Sequence, residues 1–203
     1  MPASDPGARL LDAIERIRAE TSDRPSTGVD HDAADDVLGT IATADAVGFD
    51  PLPLLGALDR AGADVVAIGQ IAAILHGSNE LTGDLDLLWS GDTAHADAIA
   101  DAFASVDAQL FDDDDQPIAT DRAAFELPKV LFRSEHASGD CCTPRLPWGD
   151  QDVTAFVKRA DVCVVAGVRV RYLRLDDLQV MRRAVGRPKD LRRVDELDRI
   201  GRG

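Results

Sequence analysis

The chain has 203 residues, 45% of them hydrophobic, enough for one domain with a substantial core and too few for two large ones. Its formal net charge is −15, and an evenly acidic surface would repel nucleic-acid phosphates and anionic lipid. No apolar run approaches a membrane span, and the start, "MPASDPGARLLDAIERIRAE", lacks an apolar core behind a basic end, so neither a membrane segment nor a secretion signal is expected.

In chain order, Leu10, Leu11, Ile14 and Ile17 recur at helical spacing and predict a short helix over 8–20. "TSDRPSTGVDHD" is polar, broken by Pro25 and Gly28, and reads as a linker, so residues 1–30 form an N-terminal helix with a flexible connection and 31–203 the main domain. Helices are predicted over 31–47 and 51–61. "DVVAIG", 64–69, is a β-branched run ending in glycine, hence a buried strand, and "QIAAILHG" a helix. "DLDLLWS" alternates with period two, hence a strand with its aspartates on one face. Residues 92–106 form a helix capped by an aspartate. "FDDDDQP", 111–117, reads as a solvated loop, "KVLFRSE", 129–135, as a strand, and "ASGDCCTPRLPWGD" as irregular. His76 and Trp148 read as packing residues. Cys141, Cys142 and Cys163 are odd in number and two are adjacent, which disfavours a disulfide framework and points to a reducing cytoplasm. "ADVCVVAGVRVRYL", 160–173, predicts a hairpin turning at Ala166-Gly167. Two helices within 175–199 follow, the first ended by Gly186 and the second opened by Pro188. From Arg169 onward eleven Lys and Arg stand against six Asp and Glu, a net of +5, leaving −20 on the rest. Such a tail either docks on its own acidic body or meets an anion such as a nucleotide phosphate. Alternating strands and helices indicate an α/β or α+β domain, a mixed sheet flanked by helices with a C-terminal helical hairpin.

Asp84-Leu85-Asp86 carries the functional question. On a strand the two carboxylates share a side, about 7 Å apart at ~3.3 Å per residue. Like charges on a half-buried face are costly unless a cation sits between them. A hard divalent ion fits, because Mg²⁺ (or Mn²⁺) takes oxygen ligands and leaves positions for substrate phosphates. The alternative is an edge strand with its aspartates in water. Upstream, Ile68-Gly69-Gln70 joins a strand to a helix, a junction whose backbone N–H groups suit a phosphate.

The thirteen residues between Gln70 and Asp84, with the motifs that flank them, resemble the signature of the nucleotidyltransferase (polymerase-β-like) superfamily. "VVAIGQIAAILHGSNELTGDLDLLWS" is similar to the corresponding segment of its AbiEii-like branch, and "LDDLQVMRRAVGRPKDLRRVDEL" to that branch's closing helices. The resemblance implies a nucleotidyltransferase-like mixed sheet. It implies Gly69 and Gln70 on the nucleotide phosphates, Asp84 and Asp86 on Mg²⁺, and Thr82 lining the same turn. Lys189 and Asp190 match the family's late charged pair, and Arg182 and Arg187 reach phosphate. The chemistry would be metal-dependent phosphoryl transfer from an NTP to a hydroxyl of RNA (tRNA included), a protein or a small molecule. Toxin–antitoxin and phage-defence roles, with a cognate antitoxin protein as partner, are common in that branch.

Three departures stand out. Gln70 replaces the usual Gly or Ser. Arg182 replaces a frequent lysine, a planar fork for a point charge. The position three after Gly139, where the third carboxylate is expected, holds Cys142; Asp140 is the nearest substitute, with Glu126, Glu135 and Asp150 behind it. These departures leave open a catalytically inactive relative that binds a nucleotide or a protein partner.

Overall fold

The computed structural model describes residues 5–24 and 41–202. Among the described residues the chain is α+β, with seven α-helices and one eight-stranded mixed sheet. Helix α1 spans Pro6–Thr21, α2 Leu52–Arg60, α3 Gly69–His76 and α4 Ala96–Ala104. Strands β1 to β6 span Val65–Ala67, Leu87–Trp89, Gln109–Phe111, Pro117–Ile118, Lys129–Arg133 and Ser138–Cys142. Helix α5 (Val153–Lys158), the hairpin β7 (Asp161–Val165) and β8 (Val168–Tyr172), and helices α6 (Leu175–Val185) and α7 (Pro188–Ile200) complete it.

The sheet order is β4-β3-β5-β6-β2-β1-β8-β7. Only β2–β6 and β1–β8 run parallel. All three residues of β1 and of β2 are buried, so both faces of the sheet centre are covered, as their unbroken apolar sequence requires. Leu10, Ile14 and Ile17 of α1 belong to the same apolar core as the sheet, so the N-terminal helix is part of the main domain. Phe103 meets Phe125 at a tilt and Phe132 edge-to-face, both with ring centroids 5.1 Å apart, between α4 and the outer strands.

Most predicted elements are present. Asp92 caps the turn leading into α4, Ala166-Gly167 turns the β7–β8 hairpin with positive φ at both residues, and Gly186 closes α6 in the left-handed region. Four expectations change. The strand predicted over "DLDLLWS" is confined to Leu87–Trp89, and its aspartates lie on the approach to it. The run "FDDDDQP" lies between the paired strands β3 and β4, so part of it is ladder. "SGDCC", read as irregular, is strand β6, held between β5 and β2 on both edges. Of the helix expected over 31–47, residues 31–40 lie outside the described residues, and 41–47 contain a single 3₁₀ turn at Ala44–Ala46. Most of the linker lies outside them too. His76 and Trp148 are held as packing residues: the His76 ring nitrogen Nε2 lies 2.7 Å from the Leu173 carbonyl, and Trp148 Nε1 donates to the Thr143 carbonyl at 2.8 Å.

Gly139 explains how β6 can lie so close to the segment before β2. A Cβ there would stand 2.1 Å from the Leu85 carbonyl oxygen, and Gly139 has φ +155. Gly139→Ala should therefore push β6 off the Leu85 backbone and destabilise the fold by roughly 2–4 kcal/mol. Urea unfolding checks this; an unchanged midpoint would contradict the close packing.

Candidate functional site

The site is built where β1 turns into α3. Ile68, the residue before the helix, has extended backbone and makes no side-chain cap. The N–H groups of the first turn therefore lack intrahelical partners and a capping side chain, and they form a positive end. Gly69 sits at φ +58, and a Cβ on it would lie 1.9 Å from Asp86 Oδ2. The Asp86 carboxylate is thus packed directly on the glycine at the helix mouth. Its backbone is fixed there too, since the Ile68 N–H donates to the Asp86 carbonyl at 2.9 Å.

Asp84 is fixed from the other side. The Leu85 N–H donates to the Ser138 carbonyl at 2.8 Å, and Leu85 and Leu87 are fully buried while Asp84 and Asp86 are half-buried. Alternation therefore sends the leucines into the core and both carboxylates to the opposite side. Buried Thr82 donates its hydroxyl to Asp84 Oδ1.

Asp140 arrives through sheet register. Leu87 pairs with Cys141 in the parallel β2–β6 ladder, so one residue back brings Asp140 alongside Asp86 on the same face. The Cys142 thiol is also there: burial, then Asp140, then Asp86, push its pKa far up. Asp140 has a cationic neighbour in Lys129, Nζ to Oδ2 at 3.8 Å; Lys129 also reaches Asp113 at 3.2 Å. Burial opposes the Lys129 charge, but these two aspartates outweigh it and its pKa is raised. Glu126, Glu135 and Asp150 lie off this strand face: Glu126 pairs with Arg122, Glu135 with His136, and Asp150 is exposed in a turn. No group of three His, Cys, Asp or Glu side chains among the described residues converges on a single ion position. The donor chemistry around Asp84 and Asp86 is nonetheless hard oxygen, the kind a small divalent ion takes with water and phosphate filling the remaining positions.

Behind the helix mouth lies a buried polar network that sequence reading missed. Gln70 is 4% exposed and its side chain is wholly engaged. Its Nε2 donates to Ser78 Oγ at 3.0 Å and to the Glu80 carbonyl at 2.9 Å, and its Oε1 accepts from Arg182 Nη2 at 2.8 Å. Gln70 therefore has no side-chain group for a phosphate; only its backbone N–H can serve. The same Nη2 donates to the Gly69 carbonyl at 3.1 Å. Arg182 Nη1 is buried and has no hydrogen-bond partner among the described residues. Burial, reinforced by Arg193, lowers the Arg182 pKa to about 10, although Asp190, Glu80 and Asp86 pull the other way. A desolvated guanidinium with an unused donor, next to the carboxylates, is suited to an anion.

The remaining predicted residues come in from the C-terminal hairpin. Lys189 and Asp190 are both buried at the start of α7. Asp190 accepts from Arg187 Nε at 2.7 Å, so Arg187 is turned to its own helix start. Ser78 Oγ donates to Glu196 Oε1 at 2.9 Å, and Arg193 forks onto Glu80, which ties α7 to the segment leading to Asp84. These partners are over a hundred residues apart, and no local pattern announces them. A separate cavity of about 260 Å³ includes Leu87, one residue after Asp86, and so opens on the reverse face of the sheet. Its Asp59 and Asp64 are paired with Arg169 and Arg171.

Compared with known proteins, the chain matches no protein-family model and no curated sequence. The likeness to nucleotidyltransferases thus rests on the motifs quoted above. No helix among the described residues is long and apolar enough to cross a membrane.

Two predictions follow from this geometry. Gln70→Leu strands Arg182 Nη2 and Ser78 and should destabilise the fold by about 2–4 kcal/mol; an unchanged urea midpoint would contradict the network. Burial raises the thiol pKa of Cys141 and Cys142, and that of Cys163 to about 11. At pH 8 the folded protein should react with iodoacetamide much more slowly than the protein in guanidinium, where all three thiols are open. Rapid modification of Cys142 in the folded state would show that the face beside Asp140 is open.

Proposed function

We propose that the protein is a Mg²⁺-dependent nucleotidyltransferase that moves a nucleoside monophosphate from an NTP to a hydroxyl acceptor. One observation carries this reading: the Asp86 carboxylate lies against Gly69 at the mouth of α3, with Asp84 on the same side. A helix end that attracts phosphate and a carboxylate pair that attracts a cation are thus brought together, as a metal-bound triphosphate requires. The nucleotidyltransferase-like resemblance of the two motifs supports the same assignment.

Asp84 and Asp86 would hold the ion, with Asp140 beside them. Bound there, Mg²⁺ (or Mn²⁺) would neutralise charge on the transferring phosphate and lower the pKa of the acceptor hydroxyl. The first-turn N–H groups of Gly69 and Gln70 would receive phosphate oxygens. Arg182 Nη1, already desolvated, would donate to the same group without further reorganisation. Thr82 orients the Asp84 carboxylate, and Gln70 orients Arg182. Lys189 would add positive charge from the hairpin, with Asp190 holding Arg187 beside it.

The acceptor class follows from the resemblance alone: an RNA such as tRNA, a protein side chain or a small molecule. The same holds for a toxin or phage-defence role, with a cognate antitoxin, in the cytoplasm. A second reading is favoured by the engagement of Gln70 and the Lys129 contact of Asp140. Under it the fold binds a nucleotide or a protein partner without turning over.

Purified protein mixed with each labelled NTP and Mg²⁺, with and without bulk tRNA, decides between them. Labelled product is expected, falling in Asp84→Ala and Asp86→Ala by more than the roughly 10–100-fold typical of outer-shell changes. NTP binding without product supports the non-catalytic reading. Product that survives both substitutions contradicts the assignment of the site.

A further inference from the structure

A second polar cavity, of about 250 Å³, lies along α7 and is lined by Glu80, Lys189, Arg192, Arg193, Glu196 and Arg199. Five of these six fall at 189, 192, 193, 196 and 199, which is one stripe of a single helix. Four cations face two carboxylates, so the cavity carries a formal +2 on a protein whose net charge is −15.

The charges are not evenly committed. Arg193 is forked onto Glu80, and Glu196 accepts from Ser78, so both carboxylates are engaged by the fold. Arg192 makes no side-chain hydrogen bond or ion pair with the described residues. Arg199 uses Nε on the Asp195 carbonyl of its own helix and leaves its terminal nitrogens open. Lys189, 4% exposed at one end of the stripe, has an interaction of its own, so the open charge is that of the exposed Arg192 and Arg199. Cations on a helix that must dock against an acidic body would be expected to pair with it. Here part of the stripe lines an open cavity instead.

We infer that this cavity is an anion site for a phosphate group carrying two or more charges, separate from the Asp84–Asp86 pair. Guanidinium forks match phosphate oxygens, and the cavity has room for one phosphate or a diphosphate with its water. Free polyphosphate and the terminal phosphate of an oligonucleotide share this chemistry. It shares Lys189 with the nucleotide site proposed above but needs neither the divalent ion nor the transfer reaction, and Arg192 and Arg199 belong to it alone.

Calorimetric titration without divalent ions tests it, using inorganic pyrophosphate and, separately, a 5′-phosphorylated dinucleotide. Saturable binding of at least one probe is expected. It should weaken at least about tenfold in the Arg192→Ala/Arg199→Ala double variant and tighten in Glu196→Gln. It should persist in Asp84→Ala/Asp86→Ala, which separates it from the nucleotidyltransferase reading. Arg192 and Arg199 are exposed, and an unchanged melting temperature confirms that the double variant folds. Pyrophosphate alone assigns a free polyphosphate; binding of the dinucleotide as well assigns an oligonucleotide end. Failure of both probes, equal affinity in the double variant, or loss of binding with Asp84 and Asp86 overturns the inference.

Discussion

There is no room for a side chain between Gly69 and Asp86. A methyl group on the glycine would fall 1.9 Å from the carboxylate oxygen, and the left-handed φ at this residue disfavours one in any case. This contact sets the depth of the site. It brings a carboxylate to the positive end of α3, and the ladder on each side stops it from drifting away: β1 through the Ile68–Asp86 bond and β6 through the Leu85–Ser138 bond. A half-buried carboxylate held at a helix start is favoured by the helix dipole. Asp84 lies two residues before it, and the Arg182 guanidinium is close enough to Asp86 to interact with its charge.

The network behind the turn supports the same arrangement from within. Gln70 has a structural task. Its amide joins Arg182 of α6 to Ser78 and the Glu80 backbone, and Ser78 and Glu80 in turn join Glu196 and Arg193 of α7. The C-terminal hairpin is therefore clamped on α3 through buried and half-buried polar contacts. Such a network is specific because each member left unpaired is costly. Its one exception among the described residues is Arg182 Nη1, which is buried and has no hydrogen-bond partner.

Local patterns revealed much of this and missed the rest for physical reasons. β1, α3, the β7–β8 hairpin, α6 and α7 carry strong local signals: β-branched runs, helical periodicity, a turn with glycine, Gly186 and Pro188 as stop and start. Period two was legible in the burial of residues 84–87, although the strand itself begins only at Leu87. β6 was not, because "SGDCC" has poor strand propensity and becomes a strand only through two neighbours that lie elsewhere in sequence. That same hidden strand is what brings Asp140 beside Asp86, so Asp140 was visible as a residue but not as a position. The engaged state of Gln70 was also illegible, since its partners include Arg182, 112 positions away.

The most direct measurement is paramagnetic broadening of backbone amide signals by Mn²⁺ with a non-hydrolysable NTP analogue. Broadening centred on residues 84–86, 69–71 and 140, and absent in Asp86→Ala, is the predicted result. Broadening centred instead on the exposed aspartates at 112–115, with 69–71 and 84–86 unaffected, would contradict the site.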